Sequence, residues 1–229
     1  LALFLLYPRT DLERRLAATP DTALSAAYLS NLLRSDPDNP RLRLLLAQRQ
    51  LEIGDLENAR ITLQLALNAE DKAVSQGAHW VLWQLTEQEY LQLPGDAGNE
   101  RQKLLGMLTR QLYELAELDL APEQHMELAS KAYRFNQPVL GARLFKKVAN
   151  DLRGTPEETT RLYEQAAAKS LARGDYNGAA ELYLLARAST TDPLRSRRNF
   201  HEALRTLQSG DKPLLALETG EREIGALVN

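Results

Sequence analysis

The chain contains no cysteine among its 229 residues. Without thiols it has no disulfide framework, no thiolate zinc site and no cysteine nucleophile. A cysteine-free composition is compatible with an oxidising compartment such as a bacterial periplasm, although many cytosolic helical proteins share it. The absence therefore excludes kinds of site and leaves the compartment open.

Histidine is scarce, and the motifs of common enzyme classes are missing. His79, His125 and His201 lie far apart in the sequence and have no partner at ligand spacing. The stretch from His201 resembles a zinc-protease helix, but Arg205 stands where the second metal-binding histidine belongs. The sequence has no nucleophile elbow, phosphate loop or dinucleotide fingerprint. We expect no catalytic residue, cofactor or metal; the alternative is a carboxylate pair that folding brings together.

Aromatic residues make up only 6% of the chain, and no window alternates polar and β-branched residues as an amphipathic strand does. Leucine instead recurs at the i, i+3, i+4 and i+7 spacing of a helix face. Examples are Leu42, Leu45 and Leu46, and then Leu104, Leu108, Leu112 and Leu115. The pattern predicts an all-α protein with essentially no β-sheet.

The charge is weakly negative overall and uneven along the chain. A net charge of −3 disfavours a general nucleic-acid binder. Residues 87–127 are rich in Asp and Glu, whereas residues 131–153 are rich in Lys and Arg. Adjacent stripes of opposite charge can steer and orient a protein partner. The alternative, mutually screened surface charge, explains any single one of these residues equally well.

Gly-Asp pairs recur in the helical pattern at Gly54-Asp55, Gly174-Asp175 and Gly210-Asp211. Their spacing fits a unit of about 34–40 residues, which is typical of stacked helical hairpins. Glycine after a helix can take the left-handed cap conformation, and the Asp that follows can cap the next helix. Pro37 and Pro40 lack amide hydrogens and suit a helix boundary and a first turn. An arbitrary helical bundle has no reason to repeat this signal.

These residues resemble the tetratricopeptide repeat family, whose unit is a helix-turn-helix. With Pro40 at position 1, positions 8, 15, 20, 24 and 27 hold Ala47, Gly54, Ala59, Leu63 and Ala66. Small side chains there let helices cross closely. The resemblance implies a right-handed superhelical solenoid over residues 9–229, incomplete at its C-terminus. Its clearest units are about 40–73, 123–155 and 160–193, with a degenerate unit at about 74–120 and a partial unit from 196.

Two of these units show how well the alignment fits. In the unit from 123, Met126 and Ser130 fall at positions 4 and 8. In the degenerate unit, we predict helices at 75–92 and 100–119 with an enlarged turn between them. Trp80 and Trp83, three residues apart on one helix face, fit an inter-repeat core better than a ligand platform.

The resemblance also implies where a partner binds. In tetratricopeptide arrays the first helices of successive units line a concave face, which positions 2, 5, 9 and 12 enter. That face and the basic stripe together give these candidate partner-binding residues: Arg41, Leu44, Gln48, Glu127, Lys131, Arg134, Lys147, Arg161, Glu164, Arg197 and Phe200. The family's carboxylate-clamp version needs Lys and Asn where this chain has Arg41, Leu44, Leu45 and Gln48, so we do not expect a receptor for acidic peptide tails.

Both ends of the sequence suggest an excerpt. Leu1–Tyr7 is apolar apart from the tyrosine hydroxyl, yet it is too short to span a bilayer, which takes about 20 residues. Residues 1–8 are either the end of a membrane anchor or signal segment, or a helix that caps the first repeat. Pro213–Val228 has the pattern of a second helix without a polar capping helix after it. We therefore expect further repeats beyond residue 229.

The apolar start, the stretch Pro8–Glu13 and the immediate entry into degenerate Leu/Ala-rich repeats resemble the periplasmic scaffold region of the Pel exopolysaccharide export family. That resemblance implies a membrane-anchored periplasmic scaffold for biofilm polymer export. Its partners would be a polysaccharide hydrolase or deacetylase and outer-membrane export components, with transient polysaccharide contact. The alternative is a soluble cytosolic tetratricopeptide adaptor that binds a peptide or protein.

Overall fold

The computed structural model describes residues 23–151 and 155–228, and no β-strand occurs in them. The segment of residues 1–8 lies outside the described residues. Among those that are described, no helix combines the length and hydrophobicity needed to cross a membrane. The described helices are α1 (Ala23–Ser35), α2 (Pro40–Glu52), α3 (Leu56–Leu67), α4 (Lys72–Gln92), α5 (Gly98–Ala116), α6 (Pro122–Arg134), α7 (Pro138–Asp151), α8 (Pro156–Leu171), α9 (Tyr176–Ser189), α10 (Pro193–Ser209) and α11 (Pro213–Val228).

The helices pack on one another in chain order within two compact units, which divide at Gln111–Leu112. In the first unit, α1 packs on α2, α2 on α3 and α3 on α4, and α2 also contacts α4. In the second unit, α6 to α11 pack successively, and α7 also contacts α9. Contacts between alternate helices are what stacked hairpins produce. The all-α prediction of consecutive helical hairpins is confirmed.

The turn inside a hairpin has the same geometry at four places. A residue with positive φ follows the first helix, and the next amide donates to the carbonyl five residues back, which is the Schellman motif. The positive-φ residues are Gly54 (80°), Asn136 (56°), Gly174 (75°) and Asp211 (58°). The hydrogen bonds run from Asp55 to Gln50 and from Gln137 to Ala132 at 2.8 Å, and from Asp175 to Ser170 and from Lys212 to Leu207 at 3.0 Å.

The Gly-Asp prediction is correct for the backbone at two of its three sites. At the third, Asp211 takes the positive φ while Gly210 has φ −83°. Glycine is needed at Gly210 for space, because a Cβ there would lie 2.5 Å from the Cβ of Tyr176. Asn and Asp tolerate the left-handed region better than other side chains. A search for glycine alone therefore misses Asn136 and misplaces the turn at Asp211.

The predicted capping by the Asp of each pair is correct at Asp175 and wrong at Asp55. Asp175 Oδ1 accepts a hydrogen bond from the Gly178 amide at 2.9 Å. Asp55 makes no side-chain cap bond and accepts instead from Asn58 Nδ2 at 2.9 Å. Helix α4 begins earlier than predicted because Asp71 caps it, accepting from the Ala73 amide at 3.0 Å.

The small residues predicted at helix crossings lie in the core. In the first unit they join the apolar face of α4, so that α2, α3 and α4 share one core. That core contains Ala47, Leu51, Ala59, Leu63, Ala66, Val74, Ala78, Val81 and Leu85. In the second unit Ala167, Ala179 and Ala203 have no exposed surface. Close helix crossing through alanine, inferred from the repeat alignment, is confirmed at these positions.

In α6 the packing places the repeat register one residue earlier than the alignment. Met126 is 39% exposed and Ser130 is half-buried, although both were assigned to core positions. His125 and Ala129, one residue before each, are buried. The alignment fails at Met126 and Ser130, in a unit whose turn has no glycine to mark it.

A unit counted from Pro122 places Gly141 at the close helix crossing. A Cβ on Gly141 would lie 2.6 Å from Cε2 of the Tyr133 ring, so only glycine fits against the ring as it stands. Tyr133 lies 2.9 Å from Ser170 Oγ and donates to the Ala166 carbonyl at 3.3 Å. Burial raises the pKa of this phenol to about 12. Tyr133 thereby links α6 to α8, the first helix of the next hairpin.

Candidate functional site

A groove opens between α2 and α4, the first helices of two consecutive hairpins in the first unit. Its volume is about 520 Å³, within the range of about 300–1,000 Å³ typical of ligand pockets. We call it the α2–α4 groove. It is lined by Gln48, Arg49, Leu51 and Glu52 from α2 and by Trp80, Gln84, Glu87 and Gln88 from α4.

The helical period explains why these side chains of α4 share a face. Trp80, Gln84 and Glu87 follow i, i+4, i+7 spacing, which keeps side chains on one side of a helix. The neighbouring face repeats the same spacing one residue along and is buried in the core, with Val74, Ala78, Val81 and Leu85. The core thus fixes one face of α4, and the face beside it lines the groove.

The two tryptophans have different environments. Trp83 is fully buried, so the prediction of a core residue is confirmed for it. Trp80 is half-buried and lines the groove, so the prediction of a core residue is not confirmed for it. The two ring centroids are 6.3 Å apart at an interplanar angle of 44°. The buried Trp83 therefore supports an aromatic side chain that is accessible from the groove.

Polar and charged groups dominate the rest of the lining. Arg49 Nη1 donates to Glu52 Oε2 at 2.8 Å, with side chains 11% and 39% exposed. Glu87 is 7% exposed, so its carboxylate lies within the wall of the groove. Carboxylates outnumber the guanidinium, and the glutamine amides can both donate and accept hydrogen bonds. The groove is therefore net negative and rich in hydrogen-bonding groups.

The predicted partner-binding residues of the first unit have three different roles. Gln48 lines the α2–α4 groove as expected. Leu44 packs against the core, and its Cδ2 would lie 2.9 Å from a Cβ on Gly77. Arg41 forms an ion pair with Asp71 at 2.7 Å. Its hydrogen bond, with that of the Ala73 amide, lowers the pKa of Asp71 below 3.8, so Arg41 helps to hold the cap of α4.

In the second unit, Glu164 is the predicted residue of α8 that forms an ion pair with α10. Glu164 accepts two hydrogen bonds from Arg195, at 2.9 and 2.7 Å, and one from Asn199 at 2.9 Å. The Arg195 hydrogen bond is the main cause that lowers the pKa of Glu164 and raises that of Arg195. We call Glu164, Arg195 and Asn199 the α8–α10 clasp. Glu164 thus joins two helices, a role its prediction as a partner-binding residue did not include.

The other residues predicted on α8 and α10 differ in their exposure to solvent. Arg161 and Arg197 are exposed, and Phe200 is half-buried. The guanidinium carbon of Arg187 lies 4.7 Å from the centroid of the Phe200 ring, a cation–π contact. Phe200 is therefore already in contact with a cation of this chain.

The predicted residues on α6 and α7 differ in their exposure to solvent. Glu127 and Arg134 are exposed and Lys131 is half-buried. The exposed Lys147 places its Nζ 3.1 Å from Nε2 of His125, which is buried. The sequence identified His125 only as an unsuitable metal ligand, and its pairing with Lys147 was not foreseen.

Several surface charges join consecutive hairpins at intervals of about one repeat. Arg60 donates to both carboxylate oxygens of Glu89, 29 residues away, the shorter bond being 2.6 Å. Lys146 donates to Glu181, 35 residues away, at 2.6 Å. Together with the α8–α10 clasp, these pairs show that part of the charge pattern stabilises repeat stacking. Within the described residues, no group of three or more His, Asp or Glu side chains is placed to hold a metal ion.

A comparison with protein-family models finds a match to one part of the chain. The family model described as Tetratricopeptide repeat matches residues 16–78, which include α1, α2, α3 and the start of α4. No curated protein matches the sequence. Among solved structures, the chain is similar to the crystal structure of BtubC (BKLC) from P. vanneervenii, with 17% identity, a TM-score of 0.42, and coverage of 95% of this chain and 92% of that chain.

Proposed function

We propose that this chain is a non-enzymatic interaction scaffold that holds a segment of a partner protein in the α2–α4 groove. The observation that carries the proposal is the pairing of an accessible Trp80 with hydrogen-bonding side chains from two consecutive first helices. Aromatic anchors in pockets provide much of the energy of protein interfaces. The tetratricopeptide match, which includes α2, supports a protein partner over a small metabolite.

We further propose a cellular setting. The scaffold would belong to a Pel-type exopolysaccharide export machine in the periplasm and would recruit a polymer-modifying hydrolase or deacetylase near the outer membrane. The order and composition of the sequence support this setting, and the lack of cysteine is compatible with it. The family match names the repeat alone, so the competing setting is a cytosolic adaptor with the same groove.

Site-specific crosslinking in the native organism tests the groove. A photoreactive amino acid replaces Gln84, which lines the groove, in the full-length protein. We expect it to capture one protein, identified by mass spectrometry. Trp80→Ala in the same background should reduce capture about tenfold, because truncating an interface anchor costs more than about 1 kcal/mol.

The control places the same photoreactive group at Leu65, an exposed residue of α3 in the same unit. Capture from Leu65 should be weak and unaffected by Trp80→Ala. Equal capture from both positions, or capture from Gln84 that survives Trp80→Ala, would refute the groove as the binding site. A captured envelope enzyme supports the export setting, and a captured cytosolic protein replaces it with the adaptor.

A further inference from the structure

Building on the proposed function, we infer that the α2–α4 groove recognises its partner through an arginine side chain on the bound segment. The lining combines the half-buried Trp80 with the carboxylates of Glu52 and Glu87. An aromatic face and nearby carboxylates are together the chemistry that attracts a planar cation.

The electrostatics of the groove disfavour an anionic ligand. Glu52 and Glu87 contribute two carboxylates, against the single guanidinium of Arg49. Arg49 already donates to Glu52 at 2.8 Å, so an incoming carboxylate or phosphate would compete with a carboxylate of this chain. Like charges at this range in a partly desolvated site repel one another. An acidic segment would therefore bind weakly here.

Desolvation disfavours a purely apolar anchor as well. Leu51 and Trp80 are the apolar residue types of the lining, and the other lining residues are Gln, Glu and Arg. A leucine or phenylalanine side chain that filled the space would take the glutamine amides further from water. Burial of polar groups without compensating hydrogen bonds costs free energy. A cation with several N–H donors avoids that cost.

Arginine satisfies the groove better than lysine. Its guanidinium is planar, so it can stack on the Trp80 ring, while its five N–H donors reach carboxylate and amide oxygens in the same plane. The ammonium of lysine is compact and more strongly hydrated, so it gains less from stacking. The glutamines that line the groove can bond the backbone of the segment that carries the arginine.

Selection from a random library of linear peptides displayed on phage tests the ligand class. The whole chain is the target, and peptides that also bind the Trp80→Ala variant are discarded. We expect the remaining peptides to be enriched in arginine at one position. Replacing that arginine with leucine in a synthetic peptide should weaken binding about tenfold, and replacing it with glutamate should weaken binding more. The lysine peptide should bind with an affinity between those of the arginine and leucine peptides. Titration calorimetry measures these affinities.

Matched variants identify the groups responsible. Glu52→Gln removes one groove carboxylate and should weaken the arginine peptide several-fold while leaving the leucine peptide unchanged. Glu57→Gln removes an exposed carboxylate of α3 outside the groove and should leave both affinities unchanged. The affinity of the arginine peptide should also fall as salt rises, because screening weakens charge pairing.

The outcomes separate this inference from the proposed function. Groove-dependent peptides enriched in arginine and sensitive to Glu52→Gln support both. Groove-dependent peptides without arginine enrichment, or insensitive to Glu52→Gln, overturn the arginine inference and leave the peptide-binding scaffold standing. If every selected peptide binds Trp80→Ala as well as the parent chain, both proposals fail.

Discussion

Consecutive first helices meet in different ways in the two units. In the first unit, α2 and α4 leave a groove of about 520 Å³ that Trp80 lines. In the second unit, the α8–α10 clasp joins the two first helices through Arg195, Glu164 and Asn199. Asn199 is 2% exposed, so the clasp reaches into the core. The α2–α4 pair leaves a surface that a partner can reach, whereas the α8–α10 pair uses its polar groups to join the two helices.

The difference teaches that the repeat fold alone does not fix where a partner binds. Similar helical hairpins support different surfaces, because function depends on the particular side chains rather than on the fold. A charged residue on a first helix can stabilise the array or remain available to a partner. The contacts that its side chain makes within the array decide between these two roles.

Arg195→Ala should have the largest effect on stability. It removes both hydrogen bonds to Glu164 in a pair whose side chains are only 24% and 27% exposed. We expect a loss of about 1–2 kcal/mol in the free energy of unfolding, between the values of exposed and buried pairs. Urea unfolding followed by circular dichroism measures the loss, and hydrogen exchange in α8 and α10 locates it.

Arg143→Ala is the matched control in the same unit. Its ion pair with Glu117 is far more exposed, at 55% and 71%, so the expected loss is below about 0.5 kcal/mol. If Arg195→Ala is as mild as Arg143→Ala, the α8–α10 clasp is not a structural contact. Its residues would then have to be reconsidered as a binding surface like the α2–α4 groove.

Acid should weaken the second unit partly through Glu164. Its pKa in the folded chain is lower than the ordinary 4.5, chiefly because Arg195 donates to it. The stabilisation is therefore fully present above about pH 4.5 and is lost as the pH falls through the folded-state pKa. Glu164→Gln should flatten the dependence of stability on pH below about pH 5. Unfolding in urea across that range measures the slope.

The comparison variant is Glu218→Gln, which changes an exposed glutamate of α11. Its slope should match that of the parent chain. A parent-like slope in Glu164→Gln would mean that the clasp does not lower the pKa of Glu164. The ion pair would then not explain how the α8–α10 clasp joins the two helices.

Arg41→Gln should have the smallest effect, a change in the pKa of the Asp71 carboxyl alone. Arg41 is the first cause of the lowered pKa of Asp71, so its loss should raise that pKa towards 3.8 without abolishing the Ala73 cap bond. Titration of the Asp71 carboxyl by NMR measures the change. Arg43→Gln, which removes a donor to the Pro37 carbonyl, should leave the pKa unchanged. If the pKa of Asp71 is unchanged in the Arg41→Gln variant, Arg41 becomes a partner-binding candidate again.

Local signals made the first unit's hairpin and core predictable from the sequence. Pro40, Gly54 and Ala59 each have a backbone or packing requirement that few other residues meet, so they set the register of α2 and α3. In the unit whose turn residue is Asn136, the alignment fails at Met126 and Ser130, because asparagine is far less diagnostic of positive φ than glycine. A turn or a helix crossing can therefore be predicted from the sequence where few residue types meet its backbone or packing requirement.

The α2–α4 groove could be predicted only in part. Gln48 followed from the repeat alignment, but Trp80, Gln84 and Glu87 belong to a unit whose alignment was degenerate. Their common face depends on which side of α4 the core buries, and the repeat signals do not reveal that. The clasp was hidden for a related reason, since Arg195 and Glu164 are 31 residues apart and their pairing is set by stacking.

The location of the tryptophans has a consequence for optical measurement. Both indoles of the chain, Trp80 and Trp83, belong to α4 in the first unit. Intrinsic tryptophan emission is therefore a local signal from that unit, whereas far-ultraviolet circular dichroism sums the helices of both. Superimposable unfolding curves from the two signals would mean that the units melt together. Curves that separate would give the stability of each unit without cutting the chain or attaching a dye.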